Sequence, residues 1–329
     1  MTRWPAPCFW PAETQSASVR ARMPQQRCWA ANMATEHISP RFIDLDSWSA
    51  RDMVEAMYEG QLSAAAAVRV ALPNIAAAAE SAIPGLQRGG RLVYVGAGTS
   101  GRIAVQDGAE LPPTYNWPLD RLVFVMAGGT TALLRSSEGA EDVSEDGSRA
   151  IVDAKIGPDD VVIGVAASGT TPFTVSAIET ARSHGGMTIG IANNASTPLL
   201  KAAEHSILIE TGTEVVAGST RMQAGTAQKI VLNLLSTSIM IRLGRVYQGL
   251  MVDMRARNVK LRRRAEVIVN QIVGCGEDDA ARWVAAADGD VKVAVLLGLG
   301  LEEADATALL HKHRGNLRSA IGELTHEPI

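Results

Sequence analysis

Residues 91–115, RLVYVGAGTSGRIAVQDGAELPPTY, place the tightest restriction on how this chain can fold. An apolar, β-branched run (92–95) delivers the chain into Gly96-Ala97-Gly98-Thr99-Ser100-Gly101. Residues 102–109 can form a helix, and Pro112-Pro113 is expected to stop it. A strand that opens through small, hydroxyl-bearing residues into a helix N-terminus leaves free N–H groups where the macrodipole favours an anion. Gly98, Thr99 and Ser100 are therefore candidate ligand contacts, and Glu110, at the far end of the helix, is a candidate titratable group. Together they suit chemistry on a phosphorylated substrate.

The same glycines spell G-x-G-x-x-G, the dinucleotide fingerprint, which also needs an acidic residue at the end of the next strand, roughly 20 residues on. The next apolar run, 122–126, passes into Ala127-Gly128-Gly129 without a carboxylate. Thr99-Ser100 also puts two hydroxyls where such loops usually carry apolar or small residues. A nicotinamide cofactor is not expected.

From 92 to 209 apolar runs alternate with helical patterns. Strands are expected at 92–95, 122–126, 161–165, 188–191 and 206–209, with helices such as 131–137 and 174–184 between them. That alternation predicts an α/β fold with a parallel sheet covered on both faces. Residues 160–172, DVVIGVAASGTTP, repeat the first design: an apolar strand, small residues, then hydroxyls opening a helix. Ser168, Gly169, Thr170 and Thr171 join the candidate contacts on this ground. Taken singly, Ser and Thr are merely good helix caps. Two loops of the same grammar at carboxyl ends of parallel strands point instead to a phosphosugar. Gly218-Ser219-Thr220-Arg221 leads into a long helix reaching 242, which adds Ser219 and Thr220. Arg221 and Lys229 are the nearest cations, each as suited to an ion pair as to a ligand. Asn233 and Ser236 fall within the apolar middle of that helix and need partners.

The flanks are simpler. Residues 1–32 carry four arginines, one acid and no periodicity, so a disordered extension with Met33 as the working start is expected. N-terminal helices are expected over 33–81: one capped near 45–48 and running to 57, and a second over 63–80 interrupted at Pro73. The central domain spans 82–245. Residues 246–329 should form a linker helix and a small C-terminal helical subdomain, with short helices at 277–287, 291–297 and 302–311 and a final turn after Gly315. The basic run at 255–264 reads as a solvated helix face. A net charge of −4 gives no case for nucleic acid as a partner. Cys8, Cys28 and Cys275 form no C-x-x-C pair, and His311 and His313 diverge on a helix, so neither zinc nor another metal is expected. No uninterrupted apolar run reaches the ~18 residues of a membrane span. No membrane association and a cytoplasmic location are expected.

Beyond the second strand lies Glu138-Gly139-Ala140-Glu141-Asp142, then Glu145 and Asp146. Most of this is an exposed charged face. Glu141 stands apart, because it follows a strand adjoining the first glycine loop; beside Glu110 it would complete an acid/base pair.

GAGTSGR, DGAELPPTY, EGAED, VVIGVAASGTTPF, EVVAGSTRMQAGTAQK and LMVDM, in this order, resemble the N-acetylmuramic acid 6-phosphate etherases, proteins of the sugar isomerase (SIS) domain class. The resemblance covers 35 to about 323. It implies a parallel-sheet SIS domain of three-layer αβα type and a homodimer. It also implies cleavage of the D-lactyl ether of N-acetylmuramic acid 6-phosphate, with no cofactor. By that correspondence Glu110 is the acid for the leaving lactate, and Glu141 handles proton abstraction or water addition. The sequence departs from many relatives at Thr170, where they carry arginine, and at Gln223, where they carry lysine. Two other activities would use the same loops: aldose–ketose isomerisation, with one carboxylate, and non-catalytic sugar-phosphate sensing. Lactate release separates both from the etherase.

Overall fold

One 38-residue helix, α1 (Ala50–Gln87), stands where two were expected. The computed structural model describes residues 33–135, 137–256 and 258–325, so the disorder expected for 1–32 lies outside the described residues. The cap of α1 is Ser49, whose side chain accepts the Asp52 N–H at 3.2 Å; Leu45–Ser47 is only a 3-10 turn. Pro73 and Pro84 both lie inside the helix. Each removes a helical hydrogen bond, at about 3 kcal/mol. Burial on both sides of Pro73 outweighs it: Val68, Ile75 and Leu86 are almost wholly buried, at about 1.5–3 kcal/mol each. By length and composition alone α1 could also cross a membrane, although it contains no uninterrupted apolar run of that length. Here its buried side packs on the sheet, while Val54, Tyr58, Leu62 and Val70 are exposed.

After α1 come β1 (Leu92–Gly96), α2 (Gly98–Ala109), the short α3 (Leu111–Tyr115) and β2 (Leu122–Met126). Pro112 and Pro113 do not end α2. They occupy the first turn of α3, where a missing N–H costs nothing, and Glu110 is the joint between the two helices. The helix expected at 131–137 is a 3-10 turn, Thr130–Leu133. Gly128 and Gly129 before it and Gly139 after it have φ of +78°, +70° and +73°, so the backbone cannot run on as a helix. Then follow α4 (Ser144–Asp153), β3 (Val161–Val165), α5 (Pro172–Ser183), β4 (Met187–Ala192), α6 (Pro198–Ala202), β5 (His205–Leu208) and α7 (Gln223–Arg242).

The five strands form one parallel sheet of order β2-β1-β3-β4-β5. Leu92 and Tyr94 face the layer of α1 and α7; Val93 and Val95 face α4, α5 and α6. Alternate side chains thus enter two separate apolar cores, which is why the strands read as continuous apolar runs. The result is a three-layer αβα domain.

A small hairpin, β6 (Val246–Tyr247) and β7 (Leu250–Met251), leads to the C-terminal helices. These are α8 (Val259–Val273), α9 (Glu277–Ala286), α10 (Val291–Gly298), α11 (Glu303–Lys312) and α12 (Leu317–Thr325). The final turn expected after Gly315 is thus a nine-residue helix. These helices enclose a core of their own, including Ile268, Val284, Val291 and Leu317.

Candidate active site

Connections in this sheet reverse direction between β1 and β3, and ligands of open parallel sheets sit outside the strand carboxyl ends at such a point. The two Gly-hydroxyl loops follow those two strands, with Gly96 and Val165 paired in register. In the first loop Gly98 has φ +52°. A Cβ on Gly96 would lie 2.7 Å from Gly101 Cα, and one on Gly101 would collide with Met126 Sδ and the Gly96 carbonyl carbon. The glycines therefore serve a left-handed turn and a close strand–helix approach, the demands the dinucleotide motif shares.

Both helices behind these loops start without a side-chain cap. The cap position of α2 is Ala97, and that of α5 is Thr171, whose hydroxyl makes no cap bond. First-turn N–H groups remain available to an anion in both, although Pro172, the first residue of α5, has none to give. Ser168 Oγ accepts the Thr170 N–H at 3.2 Å and lies 3.5 Å from Thr171 Oγ1. Gly169, at φ +69°, leaves space that a Cβ would take from Thr197. Together these groups make a cradle of backbone donors and hydroxyls.

The third segment approaches the first loop. The Thr220 carbonyl and the Thr99 methyl both lie against Gly225 on α7, at 3.3 and 3.6 Å from where its Cβ would stand. The start of α7 is closed to ligand, however. Glu214, fully buried, accepts the N–H groups of Gln223 and Ala224, one on each oxygen, both at 2.9 Å. Burial pushes the Glu214 carboxyl up from its ordinary value, and those two N–H donors oppose the rise. Gln223 turns its amide to the Thr213 carbonyl at 3.1 Å. Sequence reasoning missed Glu214; the available signal was a lone acid beside Val215-Val216, which must find donors if buried.

Glu141 belongs to a cavity of about 260 Å³ that also holds Gly98, Arg102 and Glu138. Its Oε2 lies 4.0 Å from the Cβ position of Gly98. Arg102 was not anticipated; its Nε donates to the carbonyls of Ala132 and Leu133, which fixes the guanidinium at the cavity wall. Glu110 is elsewhere. It follows the last residue of α2, exposed, twelve residues beyond Gly98, a separation of about 18 Å along a helix. Within one protomer the structure does not bring Glu110 and Glu141 together.

Asn233 and Ser236 find their partner in Asp107. The carboxyl accepts Asn233 Nδ2 at 2.6 Å and Tyr94 OH at 3.0 Å. Burial raises its pKa, opposed by hydrogen bonds from Ser236, Tyr94 and Asn233 and by the Lys229 charge. Lys229 thus faces Asp107, and Arg221 is exposed.

Two family models match the chain: the glucokinase regulatory protein N-terminal SIS domain over residues 74–182, and the SIS domain over 129–238. The N-acetylmuramic acid 6-phosphate etherase of Deinococcus radiodurans is 47% identical over 290 residues, covering 88% of this chain and 95% of the relative. The one from Streptomyces coelicolor is 45% identical over 300 residues, covering 91% and 96%. The one from Symbiobacterium thermophilum is 49% identical over 264 residues, covering 80% and 88%. Among solved structures, a phosphoheptose isomerase from Francisella tularensis is 19% identical, covers 59% of this chain and 100% of its own, and has a TM-score of 0.46.

Proposed function

Because the chain belongs to the N-acetylmuramic acid 6-phosphate etherase family, we propose an account of how its loops and carboxylates carry out that reaction. The enzyme cleaves the D-lactyl ether of N-acetylmuramic acid 6-phosphate with water, giving N-acetylglucosamine 6-phosphate and D-lactate, in peptidoglycan recycling.

The 6-phosphate sits on the Ser168–Thr171 loop and the open start of α5. Two uncapped helix N-termini beside hydroxyls at the switch point support this placement. Ring opening exposes the C1 aldehyde, which acidifies the C2 proton. A carboxylate removes that proton; the electron pair forms the C2–C3 double bond as the C3–O bond breaks. Lactate leaves with a proton from an acid. Water then adds its oxygen at C3, and C2 regains a proton. Glu110 is the acid for lactate, and Glu141 handles the C2 proton or the water.

The observation that carries this reading furthest is also its main constraint: Glu141 lies at the glycine loop, and Glu110 a whole helix away. Two carboxylates acting on neighbouring carbons need to converge. A homodimer meets that need when Glu110 of one copy reaches the loop of the other. The exposed apolar side chains of α1, Tyr58 and Val70 among them, supply a surface for such an assembly. We place the reaction in the cytoplasm, on the side of the membrane where a charged phosphosugar is retained.

Labelled solvent tests the chemistry. In heavy water, elimination and hydration leave deuterium at C2 of the amino sugar. In oxygen-labelled water the label enters the new C3 hydroxyl, and the lactate stays unlabelled. Label at C3 without C2 exchange means direct displacement; label in lactate means cleavage on the lactyl side. Either result overturns the proposed mechanism.

A further inference from the structure

At the opposite end of the sheet from both glycine loops lies a second cavity, of about 460 Å³. Gln87, just before β1, and Arg121, just before β2, form one wall; Lys292 on α10 and the 314–316 turn between α11 and α12 form the other. The cavity therefore separates the αβα domain from the C-terminal helices. Five cations line it: Arg121, Arg242, Arg245, Lys292 and Arg314.

Most of their hydrogen bonds go to groups that carry no charge. Arg121 donates to the carbonyls of Gly90 and Leu86, with its guanidinium 4.4 Å from the Trp117 ring centre. Arg245 donates to the carbonyls of Tyr115 and Asn116, with its guanidinium 5.0 Å from the same ring centre. Lys292, nearly buried, donates to the Gly315 carbonyl at 2.6 Å. Arg314 meets the Gln87 side-chain oxygen at 3.4 Å. Carbonyls satisfy donors without cancelling charge. Among the described residues, Asp253 is shared by Arg245 and Lys292, and Glu80 answers Arg242. Positive charge is left in surplus. Burial and the Arg245 charge pull Arg121 down from its ordinary value, with Asp120 and Asp160 opposing more weakly. Buried cations in surplus are costly unless a counter-charge arrives.

We propose that this cavity is an anion site for a phosphate group, free or carried by a small sugar, distinct from the catalytic cradle. Paired guanidiniums suit a phosphate because their planar forks offer parallel donors to its oxygens. The volume lies within the range of small-ligand pockets and exceeds what a bare phosphate fills. An anion there bridges sheet and C-terminal helices, so its binding stabilises their contact by mass action.

The test uses the full chain and isothermal titration with inorganic phosphate, then with N-acetylglucosamine 6-phosphate, at constant ionic strength. Two phosphate-binding events per protomer are expected at up to about 10 mM ligand. The double variant R242Q/R314Q, at two exposed positions, should lose one event and keep etherase KM within about twofold. Ser168→Ala should weaken the other. A stronger response to the sugar phosphate in the Ser168→Ala background identifies an esterified ligand; an equal one identifies phosphate itself. A single event that Ser168→Ala abolishes and R242Q/R314Q leaves intact overturns the proposal, as does a second event that survives R242Q/R314Q. The labelling result is independent of all these outcomes.

Discussion

If Glu110 and Glu141 meet only across two copies of the chain, two dead variants should rescue each other. Twelve residues separate Gly98 from Glu110, which along a helix is about 18 Å. Glu141 is anchored at the Gly98 end, and a glutamate side chain is far too short to close that gap. Glu110→Gln and Glu141→Gln keep size and hydrogen bonding but cannot transfer a proton, so each alone should lose roughly 10²–10⁴-fold in turnover. Mixing equal amounts of the two under subunit exchange makes half of the dimers hybrids. In a hybrid with shared sites, one site regains both carboxylates and the other has neither. The mixture should therefore reach about a quarter of wild-type activity, at least ~25-fold above either parent. Lactate release measures it, and differently tagged chains count the hybrids. Hybrids present with activity still at parental background would refute the shared site and place both carboxylates in one protomer.

Other perturbations follow from single contacts. Gly101→Ala should destabilise by about 1–3 kcal/mol in urea melts, because its methyl meets Met126 and the Gly96 backbone; an unchanged midpoint would show that the loop yields freely. Ser168→Ala should weaken binding of the 6-phosphate substrate more than of its unphosphorylated form, measured by competition; equal losses would remove phosphate from that loop. Asp160→Asn should cost about 3–5 kcal/mol, since its buried carboxylate takes two Arg91 side-chain donors and the Arg91 and Gly157 N–H groups. These bonds, led by the Arg91 side chain, outweigh the effect of burial and hold the Asp160 pKa below its ordinary 3.8. Its stabilisation is thus full above that value and is lost as pH falls through the depressed one. The wild type should lose stability in acid over that window more steeply than D160N; parallel curves would show that the pair does not couple to folding.

The five strands were legible because both faces of the sheet are covered: their sequences are mostly apolar, and each lies within one residue of its expected ends. The continuity of α1 was not. Proline is a local penalty visible in the sequence, whereas the side chains that outweigh it act through tertiary burial. The hydroxyl loops could be recognised from their grammar, and their union at β1 and β3 needed only the strand order. The carboxylates could not be placed the same way. Taking α2 to begin at 102 shortens it by a turn, which hides how far Glu110 lies from the glycine loop. Asp107 and Asn233 show the same limit from the other side. Asn233 was visible as a polar residue within a helix that needs a partner, yet the bond that satisfies it joins positions 126 apart in the chain.

The cradle proposed for the phosphate is built largely from what its residues lack. Gly96 and Gly101 allow a close strand–helix approach, Gly169 spares a collision with the Thr197 side chain, and Gly98 and Gly169 hold left-handed φ angles; the donors behind them are main-chain N–H groups. Mutation can damage such a device but has almost no way of retuning it. A lineage adapting this scaffold to another phosphosugar would therefore hold these loops fixed. It would explore the cavity rim around 137–142. Substrate choice and phosphate capture can then drift at different rates within one protein, and laboratory selection for a new sugar should be aimed at the rim alone.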